Sequence, residues 1–196
     1  MSMIGNISRI PAPVRTALHR DPSTIHAVLY PDWAEVSVKP PGLLARLFGR
    51  KPAPIDPPSD PIHTLSDSDT IDLDKTWHIL HFLFTGSDWG GDFPHGFLVS
   101  CGKPVGDEDV GYGPARSFDP SQVKQIASFL ASLDHPELRK RLDPGQLEKW
   151  EIYPGLAGNP TELEENWDYI ANRLDEITRF LAETAEKDFS ILVYIN

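Results

Sequence analysis

One cysteine, Cys101, stands in 196 residues. A single thiol cannot close an internal disulfide, so the fold must be held by its core, and a reducing compartment is expected. Long apolar runs are also missing. No stretch approaches the ~18 apolar residues that cross a bilayer, and residues 1–11 hold no apolar segment long enough for a secretory signal. The expectation is a cytoplasmic protein without membrane contact. Cations are scarce: 18 Lys and Arg stand against 29 Asp and Glu, a net charge of −11. That balance opposes nucleic-acid binding, because phosphates need Lys and Arg to displace their counterions. It permits a basic protein partner, or simply keeps the chain soluble.

Familiar catalytic signatures are absent as well. There is no P-loop Lys-Ser/Thr, no G-x-G-x-x-G opening a helix after a strand, no EF-hand loop and no G-x-S-x-G elbow. No cofactor is expected. A Ser-His-Asp set assembled across the fold stays open, since such triads are not contiguous in sequence. The length suits one domain, 1–196, able to bury a sizeable core without staples.

What is present centres on residues 71–86, IDLDKTWHILHFLFTG. The pattern predicts a helix over 72–85, with Asp72 at the N-cap, Asp74 in the dipole-favoured first turn and Gly86 as the stop. Leu73, Trp77, Leu80 and Phe84 form one stripe, while Ile79, Phe82 and Leu83 fall outside it. A helix apolar nearly all round belongs in the core. Its remaining sector holds Asp74, His78 and His81, placed on one narrow face by steps of four and three. These could form a small Asp/His/His site, or be a dipole-favoured acid and two hydrogen-bonded histidines. Metal binding is not expected: zinc helices carry His at i and i+4 with a Glu between, and this spacing is i and i+3 without one.

Residues 3–10 read as a first strand, and 11–30 as one or two short helices broken near Asp21-Pro22. Residues 40–61 contain seven prolines, at 40, 41, 52, 54, 57, 58 and 61. Regular structure is blocked over most of that stretch, which reads as a surface insert. Its GLLARLFGRK piece suits a loop tucked on the core, or a turn that docks a partner or touches a membrane. After a turn-rich loop, FLVSC at 97–101 reads as a strand ending in a buried structural thiol. In the glycine-rich stretch that follows, Asp107, Glu108 and Asp109 would repel a phosphate. Tyr112 and Arg116 are the polar groups best placed to hold an anionic ligand, unless Arg116 pairs with a nearby acid.

The second half repeats one start signal. Asp119-Pro120, Asp143-Pro144 and Asn159-Pro160 each offer a capping residue, Pro at the first helical position and Gln or Glu at the third. Helices are expected from 120, 144 and 160, with a short one over 136–141. The last, 161–186, carries Leu163, Trp167, Ile170, Leu174, Ile177 and Leu181 as one seam. Over 161–188 nine acids oppose three bases, a net of −6, so its outer face is acidic. The closing FSILVYIN suits a strand buried on both faces.

MIGN near the start, IDLDKTWHILHFLFTG at 71–86, GYGPAR at 111–116 and EIYPG at 151–155 occur in an order that resembles the YfbM-like family of bacterial proteins (domain of unknown function 1877). The resemblance runs from Met3 to the terminal strand and omits the 40–61 insert. It implies an α+β domain with a small mixed β-sheet, built from N-terminal, middle and C-terminal strands and surrounded by helices. It implies no reaction and carries no functional residue over. Between the two central histidines it favours His81 as the pocket residue.

Two functional readings follow. The preferred one is a non-enzymatic binding protein, for instance toxin-neutralising or regulatory, motivated by the acidic surface and the missing signatures. The alternative is a small-molecule enzyme or ligand binder. There His81 would act as acid–base group, Arg116 or Tyr112 would orient an anion, and Asp74 and His78 would line the pocket. Burial separates them: sealed histidines favour the first, an open cleft the second.

Overall fold

A computed structural model describes residues 2–30, 64–154 and 160–196, with side chains from 165 onward in the last segment. The 40–61 insert lies outside the described residues. Strand β1 (Gly5–Ile10) leads into helix α1 (Ala12–Arg20), a 3-10 turn at Pro22–Thr24 and α2 (Ile25–Leu29). Strand β2 (Thr70–Asp72), helix α3 (Thr76–Thr85) and strands β3 (Lys103–Pro104) and β4 (Arg116–Phe118) follow. Then come α4 (Pro120–Ala131), α5 (His135–Lys140), α6 (Pro144–Lys149), α7 (Pro160–Glu186) and β5 (Ser190–Ile195). The α+β class is met.

The strands form one sheet in the order β2-β1-β5-β4-β3. Every pairing is antiparallel rather than mixed: Asn6 lies opposite Asp72, Ser8 opposite Leu192, and Ser117 opposite both Leu192 and Lys103. β5 is central, as its apolar run requires. Alternation along it feeds two cores. Ile191 and Val193 join Ile7, Phe118 and the side chains of α3, α4 and α7 on one face. Leu192 and Tyr194 join Ile10, Leu18, Ile25 and Val28 on the other, under α1 and α2. On α7, Trp167, Ile170, Leu174, Ile177 and Leu181 point into the first core, at the spacing of a single helical seam.

The Asp-Pro starts behave as capping chemistry dictates. The Asp119 carboxylate accepts from the Gln122 N–H while the Gln122 side chain accepts from the Asp119 N–H. Asp143 accepts from the Gln146 N–H, and Asp134 from the Glu137 N–H. Each cap satisfies a donor the helix cannot.

Two expectations are corrected. The central helix begins at Thr76, not at 72. Asp72 pairs with Asn6 in β2, and its carboxylate accepts from the Asp74 N–H at 2.6 Å. Asp74 then sits at φ 48°, and this left-handed residue turns the chain from strand into helix. Sheet pairing with β1 wins over the local capping signal. Second, FLVSC is no strand: residues 93–100 are turns, and the Gly96 carbonyl accepts from the N–H groups of Val99, Ser100 and Cys101. Cys101 is half-buried there rather than sealed.

From Thr76 to Phe84 every residue of α3 is buried. Burial of side chains such as Trp77 and Leu80 stabilises by roughly 2–3 kcal/mol each. Gly86, at φ 72°, ends the helix, and its N–H bonds the Phe82 carbonyl at 2.7 Å. Arg141 donates to the Leu83 carbonyl at 2.9 Å, tying the helix end to the loop after α5. Gly5 permits close approach at the other end: a Cβ there would stand 2.5 Å from Trp77 Cβ.

Candidate functional site

The sealed helix sets the terms for its histidines. His78 is 1% exposed and both ring nitrogens are engaged. Nδ1 accepts from the Tyr153 N–H at 3.0 Å, and Nε2 faces the Asp88 carbonyl at 2.9 Å. An amide N–H can only donate and a carbonyl can only accept, so the ring is held neutral with its proton on Nε2. Burial lowers its pKa further, against the pull of the Asp88 carbonyl. No lone pair is left for a metal, and no proton is free to move.

His81, one turn on, is 0% exposed. Neither of its nitrogens reaches a hydrogen-bond partner among the described residues. The Gly90 backbone is near enough to favour the charged ring, but outside hydrogen-bonding geometry. Burial, then the neighbouring His78, push its pKa down to about 4. The ring is therefore neutral at pH 7.

Arg116 on β4 is the third member. Its guanidinium lowers the His81 pKa and so lies within electrostatic reach of that ring. Among the described residues it pairs with no acid, contrary to one expectation. Nη1 donates to the Cys101 carbonyl at 2.9 Å and the Phe97 carbonyl at 3.4 Å, and Nη2 donates to the Leu98 carbonyl. Three carbonyls that the 93–101 turns leave unpaired are thus gathered by one side chain. Desolvation lowers the arginine to about 10, so it stays charged at neutral pH.

The other two candidates lie elsewhere. Asp74 is at the surface, where its carboxylate accepts from the Tyr169 hydroxyl at 3.1 Å. Tyr112 is 47% exposed on the 111–113 turn, and its N–H bonds the Ile195 carbonyl at 3.0 Å. The structure thus brings His78, His81 and Arg116 together and separates Asp74 and Tyr112 from them. Among the described residues no carboxylate side chain hydrogen-bonds either histidine, and the Asp88 charge acts on both only from a distance. Among the described residues, no group of three His, Cys, Asp or Glu side chains could hold a metal ion.

An open hollow of about 360 Å³ lies on the α2 side of the sheet, lined by His26, Tyr30, Asp109, Val110, Gly111 and Asn196. None of the five candidates lines it. Tyr30 donates there to the Val110 carbonyl and accepts from Asn196, while Asp109 accepts from the Gly111 and Gly113 N–H groups. These bonds hold the loop in shape.

Sequence reasoning missed the surface above His78. Trp89 is 55% exposed, and its ring lies 4.7 Å from the His78 ring. His78 stacks on Trp77 at 4.8 Å, and Trp77 on Tyr153 at 6.1 Å. Tyr153 holds the N-terminal segment through Met3 N–H at 3.2 Å. Asp74 acts electrostatically on the Tyr153 phenol and hydrogen-bonds Tyr169, itself 41% exposed. The readable signal was a tryptophan in SDWGG, where glycine and aspartate forbid a core element.

Comparison with known proteins agrees with this architecture. The family described as Domain of unknown function (DUF1877) matches residues 1–194. Protein YfbM of Escherichia coli (strain K12) is 33% identical over 108 residues, which cover 52% of this chain and 62% of that protein. The matched region thus spans less than two thirds of that relative. The crystal structure of YfbM from Escherichia coli, described as a protein of unknown function, aligns with TM-score 0.65 and 20% identity over 98% of this chain and 99% of that one. At that identity the likeness carries the fold. Among the described residues no helix is long and apolar enough to cross a membrane. With its profile match running across nearly the whole length, the chain belongs to the family defined by the domain of unknown function DUF1877.

Proposed function

We propose that this chain is a non-enzymatic cytoplasmic binding protein whose contact face is built on Trp89 and Tyr153. The observation that carries the reading is a pair of unlike exposures. The two histidines that could do chemistry are sealed, while Trp89 stands more than half exposed on top of His78. Trp and Tyr offer large, rigid contact area at little entropic cost, which is why they concentrate at binding hot spots. Here the rings rest on buried Trp77 and His78 and are preorganised. Asp88 holds the Trp89 N–H at 2.7 Å, and Asp74 and Lys75 both act on Tyr153. The net charge of −11, with Asp88 next to Trp89, steers a partner presenting Lys or Arg, whose cations also suit aromatic faces.

The test places a photo-crosslinking amino acid at position 89 in the native cytoplasm, with the same amino acid at exposed Lys124 as control. The reading expects one dominant basic protein at position 89. Untagged chain should compete that adduct away, and a Trp89→Ala/Tyr153→Ala chain should not. Identical adducts from both positions overturn it.

A second reading draws on His81, whose ring nitrogens meet no partner among the described residues. It takes the His81–Arg116 region as a small-molecule site reached when residues 87–101 move aside. A metabolite screen by thermal shift supports it if hits vanish in His81→Leu, and removes it if no compound shifts the parent chain.

A further inference from the structure

Helix α1 presents Arg15 and His19 one turn apart, so both side chains lie on one face. That face meets the free edge of the sheet, where Lys103 on β3 is paired directly with Ser117 on β4. The Arg15 Nε–H donates to Ser117 Oγ at 3.2 Å, and His19 Nε2 lies 2.7 Å from the same oxygen. Ser117 Oγ in turn lies 3.3 Å from the Lys103 carbonyl. The serine is fully buried, whereas Arg15 and His19 are half-exposed and Lys103 is exposed. Two cationic or potentially cationic side chains therefore meet at one buried hydroxyl, and exposed Lys103, whose backbone carbonyl accepts from that hydroxyl, acts on His19 electrostatically.

What distinguishes this cluster is that Arg15 and His19 share one buried acceptor with no counter-charge beside it. Several cations elsewhere are paired with acids: Arg9 with Asp69 and Glu183, Lys124 with Asp188, Lys140 with Glu137, and Arg173 with Glu176. Among the described residues no carboxylate pairs with Arg15, His19 or Lys103. The charges that act on His19 are Lys103 and Arg15 themselves, both of which oppose its protonation. Like charges gathered at one spot raise the energy of the unliganded protein, and 29 acidic residues were available to relieve it. Arg15 uses only its Nε–H in the hydrogen bonds of the described residues. The other edge of its guanidinium, the edge suited to bidentate contact with an oxyanion, is left over.

We propose that Arg15, His19 and Lys103 form a binding site for a compact phosphoryl group. Ser117 is its anchor: by accepting from Arg15 it fixes the orientation of the guanidinium. The terminal N–H groups of Arg15 and the Lys103 ammonium hold two faces of the anion, and His19 completes the positive rim. Ser117 is fully buried with its hydroxyl engaged, so it anchors the site and is not a nucleophile. The rest of the surface selects for size. A net charge of −11 repels an extended polyanion such as nucleic acid, but a single dianion enters the local positive field. This site is independent of the Trp89 face.

The test is an NMR titration at constant ionic strength with inorganic phosphate, phenyl phosphate, acetate and chloride in separate arms. The proposal expects saturable shifts centred on Arg15 Nε–H and His19 with phosphate or phenyl phosphate. A tighter phosphate arm identifies the free ion as ligand; a tighter phenyl phosphate arm identifies a monoester. Lys103→Gln, an exposed change that leaves the Ser117 bonds intact, should weaken binding by about tenfold or more. Lys124→Gln, removing a cation elsewhere, should leave it unchanged. Saturation by acetate alone, shifts equal to those of chloride, or undiminished affinity in Lys103→Gln each overturns the proposal.

Discussion

His78 and His81 stand one turn apart on the same helix and are equally sealed, yet their situations are opposite. His78 holds a loop carbonyl from residue 88 and an amide from residue 153. His81 has no hydrogen-bond partner among the described residues. One ring is a cross-link between three segments; the other is a polar group enclosed at a cost. Burial alone does not tell what a histidine does. What distinguishes the two is how much of each ring's bonding capacity the surrounding backbone uses.

The largest expected effect comes from removing the cross-link. His78→Leu keeps approximate volume but leaves the half-buried Tyr153 N–H and Asp88 carbonyl without their partner. Two such losses should destabilise the fold by about 3 kcal/mol, read by urea unfolding at pH 7. His81→Leu strands nothing and should be neutral or stabilising at the same pH. Equal losses from the two changes would break the comparison.

The next effect is in pH. His19, His78 and His81 all lie below their ordinary value, with burial the first cause in each. For His81 the unfolded value is near 6.5 and the folded value about 4. Between those limits the unfolded chain binds more protons, so stability is full above the upper limit and is lost as pH falls toward the lower. His81 should account for a loss of roughly 3 kcal/mol. In His81→Leu, unfolding curves across that range should be correspondingly flatter.

Smaller effects mark partners nearer to water. Asp119→Ala removes a capping box and should cost about 1 kcal/mol in the same unfolding experiment. Tyr169→Phe removes an exposed bond to Asp74 and the hydroxyl's interaction with Arg173, and should cost less than about 0.5 kcal/mol.

How legible each feature was follows the same division. Helix starts at Asp119, Asp143 and Pro160 could be read because capping is chemistry within four residues. The interior of α3 could be read because a helix apolar on all sides has one stable place to lie. Its first turn could not: the acid that resembles a cap at Asp72 is claimed by a strand partner, Asn6, far off in sequence. FLVSC resembles a strand by composition, but the Gly96 carbonyl collects its amides and Arg116 its carbonyls. β3 and β4 are too short for any period to show. For the candidate site, the sequence placed two histidines on one face and suggested Arg116 nearby. It could not show that the Tyr153 N–H would occupy one imidazole, or that Trp89 would cover it from outside. Those contacts join residues tens of positions apart.

The most direct measurement is a pH titration of the imidazole nitrogens by NMR on the intact chain. The account predicts that His81 remains neutral down to about pH 4. It also predicts that His78 shows a single tautomer protonated at Nε2 with slow exchange. A His81 that titrates near 6.5 with rapid solvent exchange, or a His78 that samples both tautomers, would contradict the sealed interior on which the binding-protein reading rests.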